Sequence, residues 1–226
     1  MAITVRNLEE LSDKLSGDLE WRKKEIIDMR AIIDLSGTPN YLLRAGFVML
    51  YAHFEGFIRF SSNAYVAYIS GQKIRTSELK MCFSAMKLRV HSNDILQNND
   101  PKTATIKGLI EKYHQILEEE FRFKLSEDSI PYIDEDDPVI KTNSNSSSVV
   151  LKEISDSLSL DYTELFSSRA QFIDKEILKP RNGIVHGNRM PISQDSHREV
   201  QIYVLQIMDE FSDAILSAAQ ASAYLA

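Results

Sequence analysis

The fold is decided by residues 41–70, which read YLLRAGFVMLYAHFEGFIRFSSNAYVAYIS. Apolar side chains occupy most sides of the helix that this spacing predicts, so the segment should be the central buried helix. The sequence SGTPN at residues 36–40 breaks the pattern before it, and Gly71 ends it. A His, a Glu and an Arg interrupt the most apolar run, residues 45–60. These polar groups argue against a membrane span, which needs about 20 largely uncharged residues.

Leucine and isoleucine also recur at helical spacing before this segment, which predicts a long amphipathic helix over residues 6–35. Shorter helices are expected near residues 76–90, 103–121, 149–158 and 168–179, and a last long, strongly periodic helix is expected from about Gln194 to the C-terminus. Glycine (8 residues) and proline (6 residues) are scarce, which favours helices over a sheet-and-turn design. The sequence therefore predicts an all-α fold, an up-and-down bundle of long helices with short helices inserted.

Residues 122–148 differ in composition from the rest of the chain. They hold the acidic cluster Asp134–Asp137 and the polar run Thr142–Ser148. This composition is typical of a loop, and short extended pieces are predicted around Phe121–Leu125. A solvated surface excursion and a binding role are both compatible with it, and the first is the commoner use of such segments. We expect one domain over residues 1–226 with this acidic and polar loop as an insertion.

Overall composition narrows the class of protein. Hydrophobic residues make up 43% of the chain and charged residues 26%, as in ordinary globular proteins. The net charge of −7 argues against indiscriminate coating of nucleic acids, although it permits a local basic site. Cys82 is the single cysteine, and the N-terminal segment lacks the apolar core of a signal peptide, so a cytoplasmic location is expected. The scattered Cys and His residues suggest no metal site, and no motif calls for a cofactor.

The sequence KPRNGIVHG, residues 179–187, carries the most informative chemistry. Pro180 suits the first turn of a helix and Gly187 suits its C-terminal cap, so a short helix is predicted to present Arg181 and His186. Side chains five residues apart lie about 140° apart on an ideal helix and therefore do not stack. The spacing of Arg and His by itself is weakly specific, whereas the full string between an amphipathic helix and a final long helix is much more specific.

These residue types suit cleavage of RNA by its own ribose 2′-hydroxyl. Imidazole is the side chain best matched to proton transfer near neutral pH, and guanidinium binds phosphoryl oxygens while keeping its charge. Arg181 and His186 are therefore the candidate catalytic residues. Asn182 joins them, either orienting His186, holding a phosphate, or making a local hydrogen bond at the helix end. Lys179 and Arg189 flank the motif without an intervening acid and are candidate RNA-binding residues.

The second predicted helix carries a polar stripe, because eleven residues nearly complete three turns. Its members are Arg44, Tyr51, Glu55 and Arg59. Glu55 is expected either to face the motif, fixing Arg181 or tuning His186, or to pair with Arg59 four residues later. Arg44 and Arg59 are supporting candidates. His53 points roughly opposite Glu55 and is expected to be a packed histidine.

The string Arg181-Asn182-Gly-Ile-Val-His186-Gly187 resembles the Arg-x(4–6)-His signature of HEPN domains, in the form with Asn after Arg. Residues 51–58 and 172–174 resemble the bacterial stand-alone group called MAE-type. A polar stretch before a short helix, like residues 145–158, is found in that group too. The resemblance spans most of residues 5–220 and implies a helical HEPN bundle that dimerises, placing the motifs of two chains side by side.

The resemblance also implies a function. HEPN proteins with an intact motif commonly cleave RNA without a metal ion, as toxins or phage-defence effectors that can be controlled by an antitoxin or another neighbouring-gene product. One departure is Asn188, which stands where toxins paired with a nucleotidyltransferase antitoxin often carry Tyr. Regulation through that Tyr is therefore not implied here. The alternative function is a non-catalytic HEPN module that binds RNA, a nucleotide or a partner protein.

Overall fold

The computed structural model describes residues 2–35, 37–97, 106–142 and 146–226. In chain order its helices are α1 Leu8–Ile33, α2 Asn40–Gly71, α3 Met81–Gln97, α4 Ile106–Glu118, α5 Ser148–Leu158, α6 Tyr162–Leu165, α7 Ala170–Phe172, α8 Lys179–Val185 and α9 Gln194–Gln220. Short 3₁₀ turns lie at Thr76–Glu78 and Ser167–Arg169, and a π-helical turn lies at Ile173–Leu178. The predicted all-α class is confirmed, and the two ends of α1 and α2 and the start of α9 fall within about two residues of their predicted positions. The α9 helix ends at Gln220, six residues before the predicted end at residue 226. Residues 103–105 of the predicted fourth helix lie outside the described residues.

The buried helix α2 forms the centre of the core, as its apolar sequence predicts. Phe54 and Phe57 are 0% exposed, and α1 and α9 pack against α2 and against each other. Gly46 of α2 permits a close approach, because an added Cβ there would lie 2.5 Å from Ile33 Cδ1 at the end of α1. The α1 and α2 helices are therefore antiparallel. The His197 ring of α9 lies 6.5 Å from the Phe47 ring, so α9 runs beside α2 in the same direction.

The insertion at residues 122–148 is more ordered than a solvated excursion in the part that the structure describes. Strands β2 Lys124–Leu125 and β3 Pro131–Asp134 form a hairpin, and β1 Ala2–Ile3 from the N-terminus pairs antiparallel with β3. The predicted extended piece at Phe121–Leu125 thus belongs to a small three-stranded sheet in the order β1-β3-β2. Residues 143–145 of the polar run lie outside the described residues.

A side chain of α2 anchors the end of this insertion. Asn63, which is 1% exposed, donates to the Ile140 carbonyl at 2.9 Å and accepts from the Ile140 amide at 3.0 Å. This reciprocal pair satisfies both backbone groups of Ile140 in the core. The insertion therefore contributes buried contacts to the bundle, in contrast to the surface role expected from its composition.

The helix that carries the motif is continuous with the segment before it. The α8 helix begins at Lys179 with Pro180 in its first turn, as predicted, but Leu178 and Lys179 both have α-helical dihedral angles. The Lys179 amide donates to the Asp174 carbonyl across the π-turn. Because a proline ring clashes with the carbonyl four residues earlier, the wider π-turn accommodates Pro180 within a continuous helical path from Ala170 to Val185.

None of the described helices combines the length and the apolar character needed to cross a bilayer.

Candidate active site

The guanidinium of Arg181 is held between two helices. Its Cζ atom lies 4.5 Å from the centre of the Tyr51 ring of α2, and its Nη1 donates to Oδ1 of Asn182 at 3.0 Å. A cation over an aromatic face is attracted by the ring quadrupole, by about 0.5–1 kcal/mol at exposed sites and more when desolvated. The Asn182 side chain thus orients Arg181, a role different from the three considered from the sequence.

The Tyr51 side chain links this arginine to the end of the insertion. Tyr51 is 2% exposed, and its hydroxyl oxygen accepts a hydrogen bond from the Ser146 amide at 2.8 Å. Burial raises the pKa of the Tyr51 hydroxyl, so the side chain stays neutral beneath the guanidinium. The sequence placed Tyr51 in the polar stripe without giving it a role. An aromatic hydroxyl one turn before Glu55 on a buried helix was the available signal.

Two polar atoms beside Tyr51 are buried and have no hydrogen-bond partner in the described part of the chain. They are Nε of Arg181 and the hydroxyl oxygen of Ser146. A buried donor or acceptor left unpaired costs about 1–3 kcal/mol. Acceptor oxygens of a bound phosphate would relieve that cost at Nε, and a guanidinium is well suited to bind them.

His186 is presented at the opposite end of the same short helix. It is the C-cap of α8 and is exposed, while Gly187 after it has φ +82°. The Gly187 amide donates to the Ile184 carbonyl at 3.0 Å, and the Asn188 amide donates to the Gly183 carbonyl at 2.9 Å. These two bonds form a Schellman motif, which confirms the predicted glycine cap. The chain therefore reverses directly after the imidazole and leaves its ring facing outward.

Within one chain the two motif side chains point different ways. Arg181 contacts α2, whereas His186 is exposed, and no hydrogen bond joins them among the described side chains. This separation follows from the angle of about 140° between helical positions five apart. A single chain consequently presents one positioned cation and one free imidazole on separate sides of α8.

The residues of the polar stripe on α2 make different contacts. Glu55 accepts a hydrogen bond from the Thr142 hydroxyl at 2.6 Å, and in the described chain it forms no ion pair with Arg181 or Arg59. Glu55 and Tyr51 therefore both bind the segment that leads out of the insertion. Arg59 is exposed. Arg44 lies slightly more than four turns before it, and its Nη1 donates to Oδ1 of Asn40 at 2.7 Å.

Some of the basic residues near the motif are paired with carboxylates, whereas those on the motif helix have no such partner in the described ranges. Arg169 binds Glu210 and lowers the pKa of that carboxyl, and Arg198 binds Asp34 at 2.8 Å. Lys179, Arg181 and Arg189 have no acidic partner in the residues that the structure covers. The motif helix and the turn after it therefore keep positive charge that no described carboxylate neutralises.

His53 faces away from the motif, as the sequence predicts for a packed histidine. It is 5% exposed, and its ring lies edge-on to Trp21 of α1 with 5.3 Å between centroids. Its Nε2 atom lies 3.2 Å from a carboxylate oxygen of Glu25, but burial dominates and lowers the pKa of the imidazole.

One further connection escaped the sequence reasoning. Asp174, two turns before Arg181, accepts hydrogen bonds from the Ser148 amide at 2.8 Å and from the Ser148 hydroxyl at 2.6 Å. A carboxylate at a helix N-terminus is favourable, so Asp174 fastens the start of α5 to the motif-bearing segment. The Phe-Ile-Asp resemblance at residues 172–174 was the only sign of it in the sequence.

Among the described residues there is no group of three or more His, Cys, Asp and Glu side chains arranged to hold a metal ion. The polar groups at the site are instead a guanidinium, an imidazole, an amide and hydroxyls.

The role of the Tyr51 hydroxyl predicts a stability difference between two tyrosines of α2. Tyr51→Phe should lower the free energy of unfolding by about 1–3 kcal/mol, because the buried Ser146 amide loses its acceptor. Tyr65→Phe is the matched control, since the Tyr65 hydroxyl is buried without a partner and the side chain is 0% exposed. Urea unfolding of both variants measures the difference. Equal stability of the two variants would remove the anchoring role of Tyr51.

Comparison with known proteins gives one match. A protein-family model described as MAE_28990-like HEPN matches residues 11–224, a range that contains α2, the whole motif, all of α9 and most of α1. Searches of curated proteins and of solved structures returned no match.

Proposed function

The chain belongs to the MAE_28990-like HEPN family, and on that basis we propose that it is a metal-independent endoribonuclease that acts as a homodimer. The observation that carries this proposal is the arrangement of one short helix. At its start Arg181 is seated on Tyr51 and bonded to Asn182, and at its end His186 stands exposed. The helix thus presents a fixed cation for phosphate and a free imidazole for proton transfer.

The reaction that suits these groups is internal transesterification. The ribose 2′-oxygen bonds to the neighbouring phosphorus as its proton passes to a neutral imidazole, and the bond to the leaving 5′-oxygen breaks as a protonated imidazole supplies that oxygen with a proton. The products are a 2′,3′-cyclic phosphate and a 5′-hydroxyl. Negative charge grows on the phosphoryl oxygens in the transition state, where the guanidinium of Arg181 stabilises it.

Dimerisation supplies what one chain lacks. The reaction needs an acid and a base, and the motif holds a single histidine on each chain. A two-fold axis beside α8 would bring together His186 and Arg181 from two copies, since isologous contacts pair the same surface of both subunits. The outward direction of His186 at the end of α8 is compatible with such a shared cleft.

The biological role proposed with this activity is that of a toxin or phage-defence effector in the cytoplasm, controlled by an antitoxin or another neighbouring-gene product. RNA is the expected substrate, and Lys179 and Arg189 beside the motif are the proposed contacts to its backbone. The second candidate is a non-catalytic HEPN module that binds RNA, a nucleotide or a protein. The buried, unpartnered Nε of Arg181 and the exposed imidazole of His186 at the end of the same short helix favour catalysis over binding alone.

Incubation of the purified protein with RNA in EDTA tests the proposed function. The expected result is cleavage to fragments that end in 2′,3′-cyclic phosphate, because no step uses a metal ion. Binding of the RNA without any cleavage, with and without divalent ions, would establish the non-catalytic module instead.

A further inference from the structure

A shallow depression of about 410 Å³ lies at the start of α2, close to the motif. Its lining residues are Asn40, Tyr41, Arg44, Arg189 and Pro191. Arg189 follows His186 by three residues, so their Cα atoms are at most about 11 Å apart. The depression is therefore close enough to receive a nucleotide that flanks the phosphate being cleaved.

The charge of the depression is wholly positive. No acidic residue lines it, and neither Arg44 nor Arg189 forms an ion pair in the described ranges of the chain. Two guanidinium groups without acidic partners beside one concave surface attract anions, and phosphate is the anion that their planar donor geometry fits best.

The walls add an aromatic surface. Tyr41 is 62% exposed, an unusual degree for a large aromatic side chain without a partner to cover it, and Pro191 supplies a second apolar wall. Exposed aromatic rings next to cationic side chains are how proteins bind single-stranded nucleic acid, because every base can stack on the ring while the cations meet the backbone.

The depression is also held in shape. The side-chain amide of Asn40 donates to the Ile192 carbonyl at 2.8 Å and accepts from Arg44 at 2.7 Å. Ile192 is itself 5% exposed and packs in the core. One side chain thus fixes Arg44 on one wall and the chain segment of Arg189 and Pro191 on the other, which reduces the ordering cost of binding.

From these observations we infer that Tyr41, Arg44 and Arg189 form a subsite for one nucleotide of single-stranded RNA adjacent to the scissile phosphate. The base stacks on Tyr41, and the two arginines bind the phosphates on either side of it. This inference rests on the proposed function, because it extends the same site along the RNA strand.

Binding of a 2′-O-methyl RNA oligonucleotide tests the subsite separately from cleavage, since this probe lacks the 2′-hydroxyl nucleophile. Fluorescence anisotropy on the full chain gives the Kd at several salt concentrations. Tyr41→Leu should raise the Kd about 5- to 150-fold, the range that loss of one stacked base gives, without changing the salt dependence. Arg44→Gln and Arg189→Gln should each reduce the slope of log K against log salt by about 0.7.

Trp21→Leu is the matched control for Tyr41→Leu. Trp21 is 44% exposed and lies under Arg22, but that arginine is paired with Asp18 at 2.6 Å, so this aromatic–cation pair offers no free charge. The control should bind the probe as tightly as the unmodified chain.

Each outcome decides between the proposals. Equal Kd values for Tyr41→Leu, Trp21→Leu and the unmodified chain would overturn the subsite while leaving the proposed cleavage untouched. Loss of a dimer in Tyr41→Leu with unchanged RNA binding would make this surface a protein interface and overturn the subsite too. Tight, Tyr41-dependent binding by a chain that cleaves no RNA would support the subsite and contradict the proposed catalysis.

Discussion

His186→Ala is expected to lower the rate of RNA cleavage by about 10²- to 10⁴-fold, the contribution that general acid–base catalysis typically makes. The imidazole is exposed and makes no side-chain hydrogen bond in the described chain, so its removal should leave the fold unchanged. The single-turnover rate with saturating RNA measures the effect, because it isolates the chemical step from product release.

His114→Ala provides the matched control for this substitution. His114 is an exposed histidine on α4, outside the motif. The His114→Ala variant should therefore cleave RNA at the rate of the unmodified protein. Cleavage by His186→Ala within threefold of the unmodified rate would show that the imidazole transfers no proton in the rate-limiting step.

Arg181→Ala has the second largest expected effect, a fall of about 10²- to 10³-fold in kcat, comparable to loss of a donor that stabilises transition-state charge. Arg181→Lys should recover only part of this loss. Lysine keeps the charge but lacks the planar guanidinium, which lies over Tyr51 and donates to Asn182. It also lacks Nε, the donor that has no partner among the described residues. Rapid-quench assays of both variants give the kcat values.

Arg75→Ala is the control for the charge change, since the Arg75 side chain is 65% exposed and pairs with an equally exposed glutamate, Glu118. Its kcat should stay within twofold of the unmodified value. An Arg181→Lys variant as active as the unmodified chain would mean that charge suffices and that the position of the guanidinium over Tyr51 is irrelevant to the chemistry.

The helical framework was predictable because its signal is local. Apolar periodicity defined α1, α2 and the start of α9 to within a few residues, and apolar side chains on most sides of α2 identified it as the central helix. The small sheet was not predictable in the same way. Its β1 strand pairs Ala2 with Asp134, and no local pattern reveals a pairing between such distant segments.

In the candidate site too, the local features were predictable from the sequence and the long-range contacts were not. The string containing Arg181 and His186 lies within one short helix, and its glycine cap could be read directly from the sequence. Asn182 is adjacent to Arg181, but the aromatic ring beneath the guanidinium is that of Tyr51 on α2, which is held by Ser146, 95 residues further along the chain. The composition of the insertion gave no sign that Ser146 would be buried, because a polar, acidic segment suggests a solvated loop.

The continuity of the motif helix was the other feature hidden from sequence. A proline normally marks the first turn of a helix, and the π-turn at Ile173–Leu178 that lets the helix continue through Pro180 has no simple residue signature. As a result, Arg181 and Asp174 lie on one continuous helical segment, and the Asp174 carboxylate binds the start of α5.

The most direct test of the shared active site is the cleavage rate of a tethered dimer with one unmodified copy and one His186→Ala copy. If an acid and a base come from the two chains, the shared cleft of this dimer lacks one of them, and the rate should fall below a tenth of that of the tethered unmodified dimer. A rate near one half would show that each chain completes its own site, and it would contradict the account.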